Sequence, residues 1–393
     1  MKVLWLARTI PLPETSGDRI YTAQTISALA KTGARIDCMG LEADLTVEVG
    51  KVTNCNWVPV EGGKRPSYLF LTSRLPMSAV RHRTRSYRSK LRKVLGSHRY
   101  DVVVLDHYAM SWALDDIDKL PRRPKIVHLA HDFETDVTKQ IKDNFQGNFV
   151  KKYLLTINHR RTAKSEWRLV LASDLIITLT DEDATHFQSL SSEIKTIVLP
   201  PGFGRNRLSD RTIDADTPRR VVAVGSFEWQ AKQMNLVKFL KIADPLFARA
   251  GIEFHLIGRV PAELLAQLPS LRATTLRGFV ENIDTEFSLA RGALVFDESG
   301  GGFKLKMLDY LYNCVPIFGL TKALNGLPGS VMENVFDAYS LEGLVKLICD
   351  NIDDIQTLNA MQQKAVKAAS DLFRWNSNGE KLSSSLKSLL LGE

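Results

Sequence analysis

Apolar positions along the chain come in short continuous blocks separated by longer stretches with helical spacing. Lys2 to Ala7 (KVLWLA) is a run of strand length, followed by the turn-rich PLPETSGDR and then a helix-period stretch from Ile20 to Lys31 that stops at Gly33. Strand, glycine loop and helix in that order make the first half of a βα unit. The rhythm recurs at DVVVLD (101–106), KIVHLAHD (125–132), DLIITLT (174–180) and TIVLPPG (196–202). After Pro200-Pro201-Gly202 the texture turns polar in GRNRLSDRTIDADTPRR, which reads as a linker. A second series follows: RRVVAVGS (219–226), IEFHLIGR (252–259), ATTLRGFV (273–280), GALVFDES (292–299) and VPIFGL (315–320).

Continuous Val/Ile/Leu runs alternating with helices predict parallel sheets covered on both faces. The expected fold class is therefore α/β, with two doubly wound Rossmann-like domains facing across a cleft. The boundaries read as 1–203 for the first domain, 204–218 for the linker and 219–376 for the second domain. A terminal helix, 377–393, is expected to pack back on the first. In such sheets ligands sit beyond the carboxyl ends of the strands, so the loops after these runs are where chemistry is sought.

Composition narrows the class. At 393 residues the chain exceeds what one core usually supports, and 44% apolar with 24% charged residues is ordinary for a soluble globular protein. No run approaches the roughly 20 apolar residues of a membrane span. The opening is broken by Arg8 and Pro11 too early for a secretory signal, so a cytosolic location is expected. Cys38, Cys55, Cys314 and Cys349 are scattered without CxxC spacing, and the histidines show no metal-like spacing. Neither a metal nor a cofactor is expected.

The net charge of +8 is unevenly placed: from Gly62 to Tyr100 there is no acidic residue. Arg81, Arg83, Arg85, Arg88 and Arg92 accumulate there beside Tyr68, Leu69, Phe70 and Leu71. A one-sign segment with apolar neighbours reads as a surface helix for an anionic membrane. The plainer reading is a solvated helix face. Stacking-spaced aromatics are missing from it, which disfavours nucleic acid as a partner.

The stretch SGGGFKLKMLDYLYNCVP (299–316) runs three glycines into a helix, expected to begin near Gly302 or Phe303. Leu305, Leu308, Leu311, Tyr312 and Val315 form its apolar stripe, and Lys306 and Asp309 share a neighbouring face. Glycines such as Gly301 and Gly302 let a diphosphate approach the backbone. Lys306 is placed to neutralise phosphate and Asp309, about one turn on, to accept from ribose hydroxyls. Alternatively this is only a loop before an amphipathic helix.

FKLKMLDYLYNCVPIFG resembles the nucleotide-binding helix of the family 4-like GT-B glycosyltransferases. The likeness extends over most of the chain through the βα-glycine-loop start, the PPG junction, the VGS strand-loop (Gly225, Ser226), Gly258, the GFV at 278–280 and the terminal helix. It implies an acceptor-binding first domain and a nucleotide-sugar-binding second domain, with Asp309 on the donor ribose, Lys306 on the diphosphate, and the base read near Gly258 and Val280. Departures are visible. The common pair of glutamates eight positions apart falls on Gly301, with Glu298 nearby, and on Asp309. Ser226 stands where an arginine often follows the glycine, and Lys232 matches the nearby lysine only loosely.

In the first domain, KIVHLAHDFET places His131 and Asp132 just after a buried strand. The resemblance makes His131 a contact of the transferred sugar, or Asp132 the general base of an inverting branch; capping of the following helix is the alternative for Asp132. The SGDR loop resembles the family's acceptor and phosphate loop, with Gly17 permitting close approach, Arg19 beside it and Asp18 a second candidate base. A simple turn is the alternative.

These readings together imply an enzyme: a metal-independent hexosyl- or glycuronosyltransferase. It would move a sugar from a nucleotide diphosphate sugar, expected to be UDP-linked, to a glycan or polyprenyl-diphosphate-linked oligosaccharide in exopolysaccharide or lipopolysaccharide synthesis. It would work peripherally at the inner face of the cytoplasmic membrane. A degenerate, non-catalytic domain that binds nucleotide-sugar or glycan is the alternative.

Overall fold

The structure, a computed structural model, describes residues 1–42, 52–145, 147–208, 210–228, 230–265, 268, 270–298 and 300–392. Ser299, which opens the glycine run, lies outside them, as does Ser209 in the polar stretch. The chain divides into two compact units, Met1–Gly202 with Arg374–Glu393, and Phe203–Phe373.

The first unit carries strands β1 (Lys2–Thr9), β2 (Arg35–Leu41), β3 (Cys55–Val60), β4 (Val102–Asp106), β5 (Lys125–Leu129), β6 (Leu175–Thr178) and β7 (Thr196–Val198). They form one parallel sheet in the order β3-β2-β1-β4-β5-β6-β7. Around it lie α1 (Gly17–Lys31), α2 (Met77–His82), α3 (Arg85–Ser97), α4 (Leu114–Ile117), α5 (Glu134–Asn144), α6 (Phe149–Ala172) and α7 (Asp181–Leu190).

The second unit repeats the plan. Its strands are β8 (Arg220–Val224), β9 (Glu253–Ile257), β10 (Thr274–Gly278), β11 (Gly292–Val295), β12 (Ile317–Leu320) and β13 (Phe336–Ala338). They pair in parallel as β10-β9-β8-β11-β12-β13. Its helices are α8 (Gln230–Ala250), α9 (Ala262–Leu265), α10 (Ile283–Ser288), α11 (Lys306–Tyr312), α12 (Gly329–Met332), α13 (Leu341–Asn351) and α14 (Ile355–Ala368). The chain then returns to the first unit as α15 (Trp375–Leu391).

Both sheets have the Rossmann-like strand order, in which the direction of winding reverses beside the first strand. The reversal lies between β1 and β4 in one unit and between β8 and β11 in the other. Burial explains the apolar runs: Val3 to Leu6, Val102 to Leu105 and Ala293 to Val295 are all within 1% of fully buried. Three strands escape the run pattern because they are mixed or short: β2, β3 and β13. Pro59 is tolerated in β3 because that strand is an edge.

The helix α15 is a wall of the first unit. Gly379 lies so close to α1 that a Cβ there would come 2.4 Å from the Ala28 carbonyl oxygen. Trp375 packs edge-on against Tyr21, and Asn378 donates to the Pro200 carbonyl at 2.5 Å.

Three expected local structures differ. The SGDR loop is the first turn of α1, since Ser16 takes the N-cap position and Asp18 lies favourably in the first turn. The helix after the glycine run begins at Lys306 rather than near Gly302, because Gly300 (φ 120°) and Gly302 (φ 63°) hold the backbone in the left-handed region. The basic segment from Tyr68 to Arg99 is a 3-10 turn (Ser67–Thr72) and two helices, α2 and α3, rather than one surface helix. Pro66 and Pro76 stand at the N-caps of the first two pieces, and the Thr84 side chain caps the third.

Candidate functional site

In the second unit, the loops leaving β8, β9 and β11 converge at the carboxyl end of the sheet. The Gly225 N–H donates to Ile257 at 3.0 Å, and the Gly258 N–H donates to Gly278 at 2.7 Å. At Gly258 (φ 119°) a Cβ would fall 1.9 Å from the Gly225 carbonyl oxygen, so this approach of two loops requires glycine. Ser226 is exposed and Val280 half-buried on neighbouring loops. Tyr310 of α11 bridges the reversal point: its hydroxyl accepts the Val224 N–H at 2.9 Å and lies 3.4 Å from the Leu294 carbonyl.

The charge here is organised around Asp297, which follows β11 and is 6% exposed. Lys306 Nζ donates to its Oδ2 at 2.7 Å and lies 5.5 Å from the centre of the Phe296 ring. Burial alone would raise the Asp297 pKa, but Lys306, Lys304 and Lys232 outweigh it and hold the carboxyl below the usual range. Lys306 is bonded to this carboxylate, and Lys304 and Lys232 act on it through space. Lys304 also donates to the carbonyls of Gly301 and Gly302, tying the glycine loop to itself. Asp309 lies on α11 beyond Lys306, where burial pushes its carboxyl up to about 6, with Arg205 at 3.6 Å opposing and Asp284 adding to the rise.

Lys232, Lys306, Gly301 and Gly302 are thus brought to one end of one sheet. Glu298 turns aside to pair with Lys238 of α8 at 2.6 Å.

In the first unit the corresponding edge carries Arg8, Asp18, Asp106 and His131 around a small hollow. Asp106 ends β4 and accepts from Trp5 Nε1 (2.8 Å), Thr22 Oγ1 (2.7 Å) and His131 Nε2 (2.6 Å). Burial disfavours the imidazolium, yet Asp106 prevails and raises the His131 pKa. His131 Nε2 is thus committed to Asp106.

Asp18 meets Arg8 Nη2 at 2.6 Å and Ser16 Oγ at 2.5 Å. Burial raises its pKa, but Arg8, Ser16 and His131 together bring it far below the carboxylate range. A carboxylate so stabilised is a weak base.

Asp132 is half-buried and does not cap α5. The Phe133 N–H goes to Asp183 at 3.1 Å, and the N–H groups of Glu134 and Thr135 go to Glu166 at 2.7 Å each. Glu166 and Asp183 therefore do the capping. Burial pushes Asp183 up to about 6, with Thr180 opposing and Asp132 adding to the rise.

Reading the sequence missed Arg8, Asp106, Glu166 and Tyr310. Asp106 alone left a signal, as the acid that ends the buried run VVVLD.

Of the five arginines expected at a membrane, Arg88 and Arg92 both pair with Asp116, at 2.7 and 2.8 Å. Both guanidinium groups hold a nearly buried carboxylate, while the Arg92 side chain stays 55% exposed and that of Arg88 28%. Arg81 and Arg85 are exposed and Arg83 is half-buried. Among the described residues no group of metal-ligating side chains is present, and no helix is long and apolar enough to cross a membrane.

No family model matches the chain, and no curated protein sequence matches it. Solved structures do. The sucrose-phosphate synthase of Thermosynechococcus elongatus superposes with a TM-score of 0.74 at 16% identity, covering 100% of both chains. Anabaena HepE in complex with UDP and glucose gives 0.64 at 14% identity, covering 99% of this chain and 100% of that one. WaaG, a glycosyltransferase involved in lipopolysaccharide biosynthesis, gives 0.65 at 16% identity, covering 98% and 99%. These are GT-B glycosyltransferases, and the two Rossmann-like units of this chain have the GT-B fold. At such identities the likeness concerns the fold.

Proposed function

We propose that the chain is a glycosyltransferase whose second unit binds a nucleotide diphosphate sugar, UDP-linked, and whose first unit receives the acceptor. The observation that carries this reading is the Lys306–Asp297 pair at the strand reversal of the second sheet, with Lys304 and Lys232 acting on the same carboxylate and Asp309 next along α11. Three cations against one carboxylate suit a diphosphate, and a carboxylate nearby suits ribose hydroxyls. The neighbour HepE is a complex with UDP, which is in keeping with that donor class.

In this reading Asp132 takes the proton from an acceptor hydroxyl as it attacks the anomeric carbon. Asp18, spent on Arg8, and His131, spent on Asp106, position groups around it. The charge developing on the departing diphosphate is met by Lys306 and Lys304. The acceptor is a glycan or polyprenyl-diphosphate-linked oligosaccharide of exopolysaccharide or lipopolysaccharide synthesis, and the reaction proceeds without a metal.

Work at an anionic membrane belongs to the same proposal. What supports it is the exposure of Tyr68 (68%) and Leu71 (60%) near Arg74, and of Phe149 (84%) and Tyr153 (65%) beside Lys151 and Lys152. Co-sedimentation with vesicles should rise with anionic lipid content and fall in Phe149→Ser/Tyr153→Ser; binding indifferent to both would remove this part.

The deciding experiment is calorimetric titration of UDP and UDP-sugars into the wild type, Lys306→Ala and Asp309→Ala. Each substitution is expected to weaken binding by about 1–3 kcal/mol, the range for lost charged hydrogen bonds. Absence of any nucleotide binding would sink the proposal. The non-catalytic alternative draws on Gly301 standing where a glutamate is common, and predicts binding with no turnover and no effect of Asp132→Asn.

A further inference from the structure

The polar stretch that opens the second unit has so far carried no function, yet the fold ties it down at several points. Its anchor is Tyr312, the last residue of α11. The Leu208 N–H donates to the Tyr312 carbonyl at 2.9 Å, the Phe203 ring centre lies 4.8 Å from that of Tyr312, and the Arg207 guanidinium sits 4.0 Å over the same ring. Arg207 also donates to the carbonyls of Ser370, Leu372 and Phe373 at 3.0, 2.9 and 2.9 Å. The Tyr312 hydroxyl donates to the Ala369 carbonyl at 2.9 Å. A cation over a ring and three charge-assisted bonds thus lock residues 203–208 and 369–373 to the end of α11.

Arg205, two residues before this knot, takes no part in it. Its side chain is 60% exposed and lies one turn back along α11, with Nη1 3.6 Å from Asp309 Oδ1. The Asp309 side chain is 26% exposed, and among the described residues its carboxylate accepts no hydrogen bond; Asn313 bonds only the backbone carbonyl. A largely buried carboxylate without donors is costly to keep unless a ligand supplies them. Burial raises its pKa, Arg205 opposes, and Asp284 of α10 adds to the rise, while the Tyr310 hydroxyl on α11 itself feels the same charge. Arg205 is the one cation among these neighbours.

We infer that Arg205 is a positioning residue of the donor site: carried by the tied linker, it holds the Asp309 carboxylate by Oδ1 and leaves Oδ2 to accept from the ribose hydroxyls. The linker is then a working part of ribose recognition and not only a connection. The ribose role rests on the proposed donor reading; the hold on Asp309 does not. At 3.6 Å the contact is an ion pair rather than a hydrogen bond, so lysine, which keeps the charge, can replace arginine here.

The test is calorimetric titration of UDP and 2′,3′-dideoxy-UDP into the full chain as wild type, Arg205→Met and Arg205→Lys, between about pH 5 and pH 8. Both ligands carry the same diphosphate, so the ratio of their affinities cancels its titration and reports the ribose contact. In the wild type this ratio should fall as pH drops through about 6. An exposed cation at this distance moves a carboxyl midpoint by about 0.5–1 pH unit. Arg205→Met should therefore shift the fall upward by that amount and weaken UDP about two- to fivefold near pH 6, with little loss near pH 8 and none for dideoxy-UDP. Arg205→Lys should restore the wild-type midpoint. The inference is overturned if Arg205→Met leaves the ratio and its midpoint unmoved, if both nucleotides lose affinity equally, or if lysine fails to rescue. A second readout needs no nucleotide: the Asp309 carboxyl carbon, followed by NMR, should titrate higher in Arg205→Met than in the wild type. If it does and UDP does not bind, the donor reading falls and takes the ribose role with it, while the hold on Asp309 stands. If UDP binds and that midpoint is unchanged, the inference falls alone.

Discussion

The Asp297–Lys306 pair offers a sharp test of the second unit's electrostatics. Asp297 is 6% exposed and the Lys306 side chain 15%, and their charged atoms lie 2.7 Å apart. Removing one member of a buried pair costs about 3–5 kcal/mol, because the other charge is left without compensation in a poor solvent for it. Asp297→Asn keeps the shape and deletes the carboxylate that Lys306 is bonded to and that Lys304 and Lys232 also favour, so its cost belongs at the upper end, about 4–5 kcal/mol. Lys306→Met leaves Asp297 with Lys304 and Lys232 and belongs at about 3 kcal/mol. The double variant should cost less than the sum, with a coupling of about 2–3 kcal/mol. Native-state hydrogen exchange of the α11 amides, read beside urea unfolding of the full chain, measures all three. If the diphosphate binds at these lysines as proposed, adding UDP should stabilise Asp297→Asn more than the wild type, since it replaces the lost negative charge. An Asp297→Asn cost below about 1 kcal/mol with negligible coupling would refute the reasoning.

Burial pushes the Asp309 carboxyl up to about 6, above the ordinary value, and in the proposed donor site its ionised form is the one that would accept from ribose hydroxyls. Nucleotide affinity should therefore be level above pH 7 and fall as pH drops through about 6, by up to tenfold per unit; Asp309→Asn should flatten the profile. Gly258→Ala places a methyl 1.9 Å from the Gly225 oxygen at φ 119°. It should lower the melting temperature and weaken UDP binding together, whereas the same change at Gly63, which has nothing within 4 Å, should do neither.

The two-domain α/β fold was legible because buried parallel strands are continuous apolar runs, and most of them lie in these sheets where their runs stand in the chain. Strands that pair at an edge with one face wet carry no such signature, which is why CNWVPV and FDA passed unnoticed. The glycine run announced a special backbone, but its positive φ values delay the helix, a consequence that composition does not carry. Asp309 and Lys306 were visible through their spacing. Their partners Asp297 and Arg205 were not, because those contacts depend on how a strand end and a loop meet. Likewise the pairing of Arg88 and Arg92 with Asp116, a distant residue, cannot be seen from the segment itself.

The return of α15 to the first unit orders events during synthesis. The first 202 residues leave the ribosome without the helix that covers Tyr21 and Ala28, while residues 203–373 are continuous and complete in themselves. At about 5–20 residues per second, the delay before Trp375 emerges is on the order of ten seconds. During that interval the later half is free to fold as it appears, and the earlier half presents an uncovered apolar groove along α1. A premature stop anywhere in α15 leaves residues 203–373 complete and the first unit without its last helix.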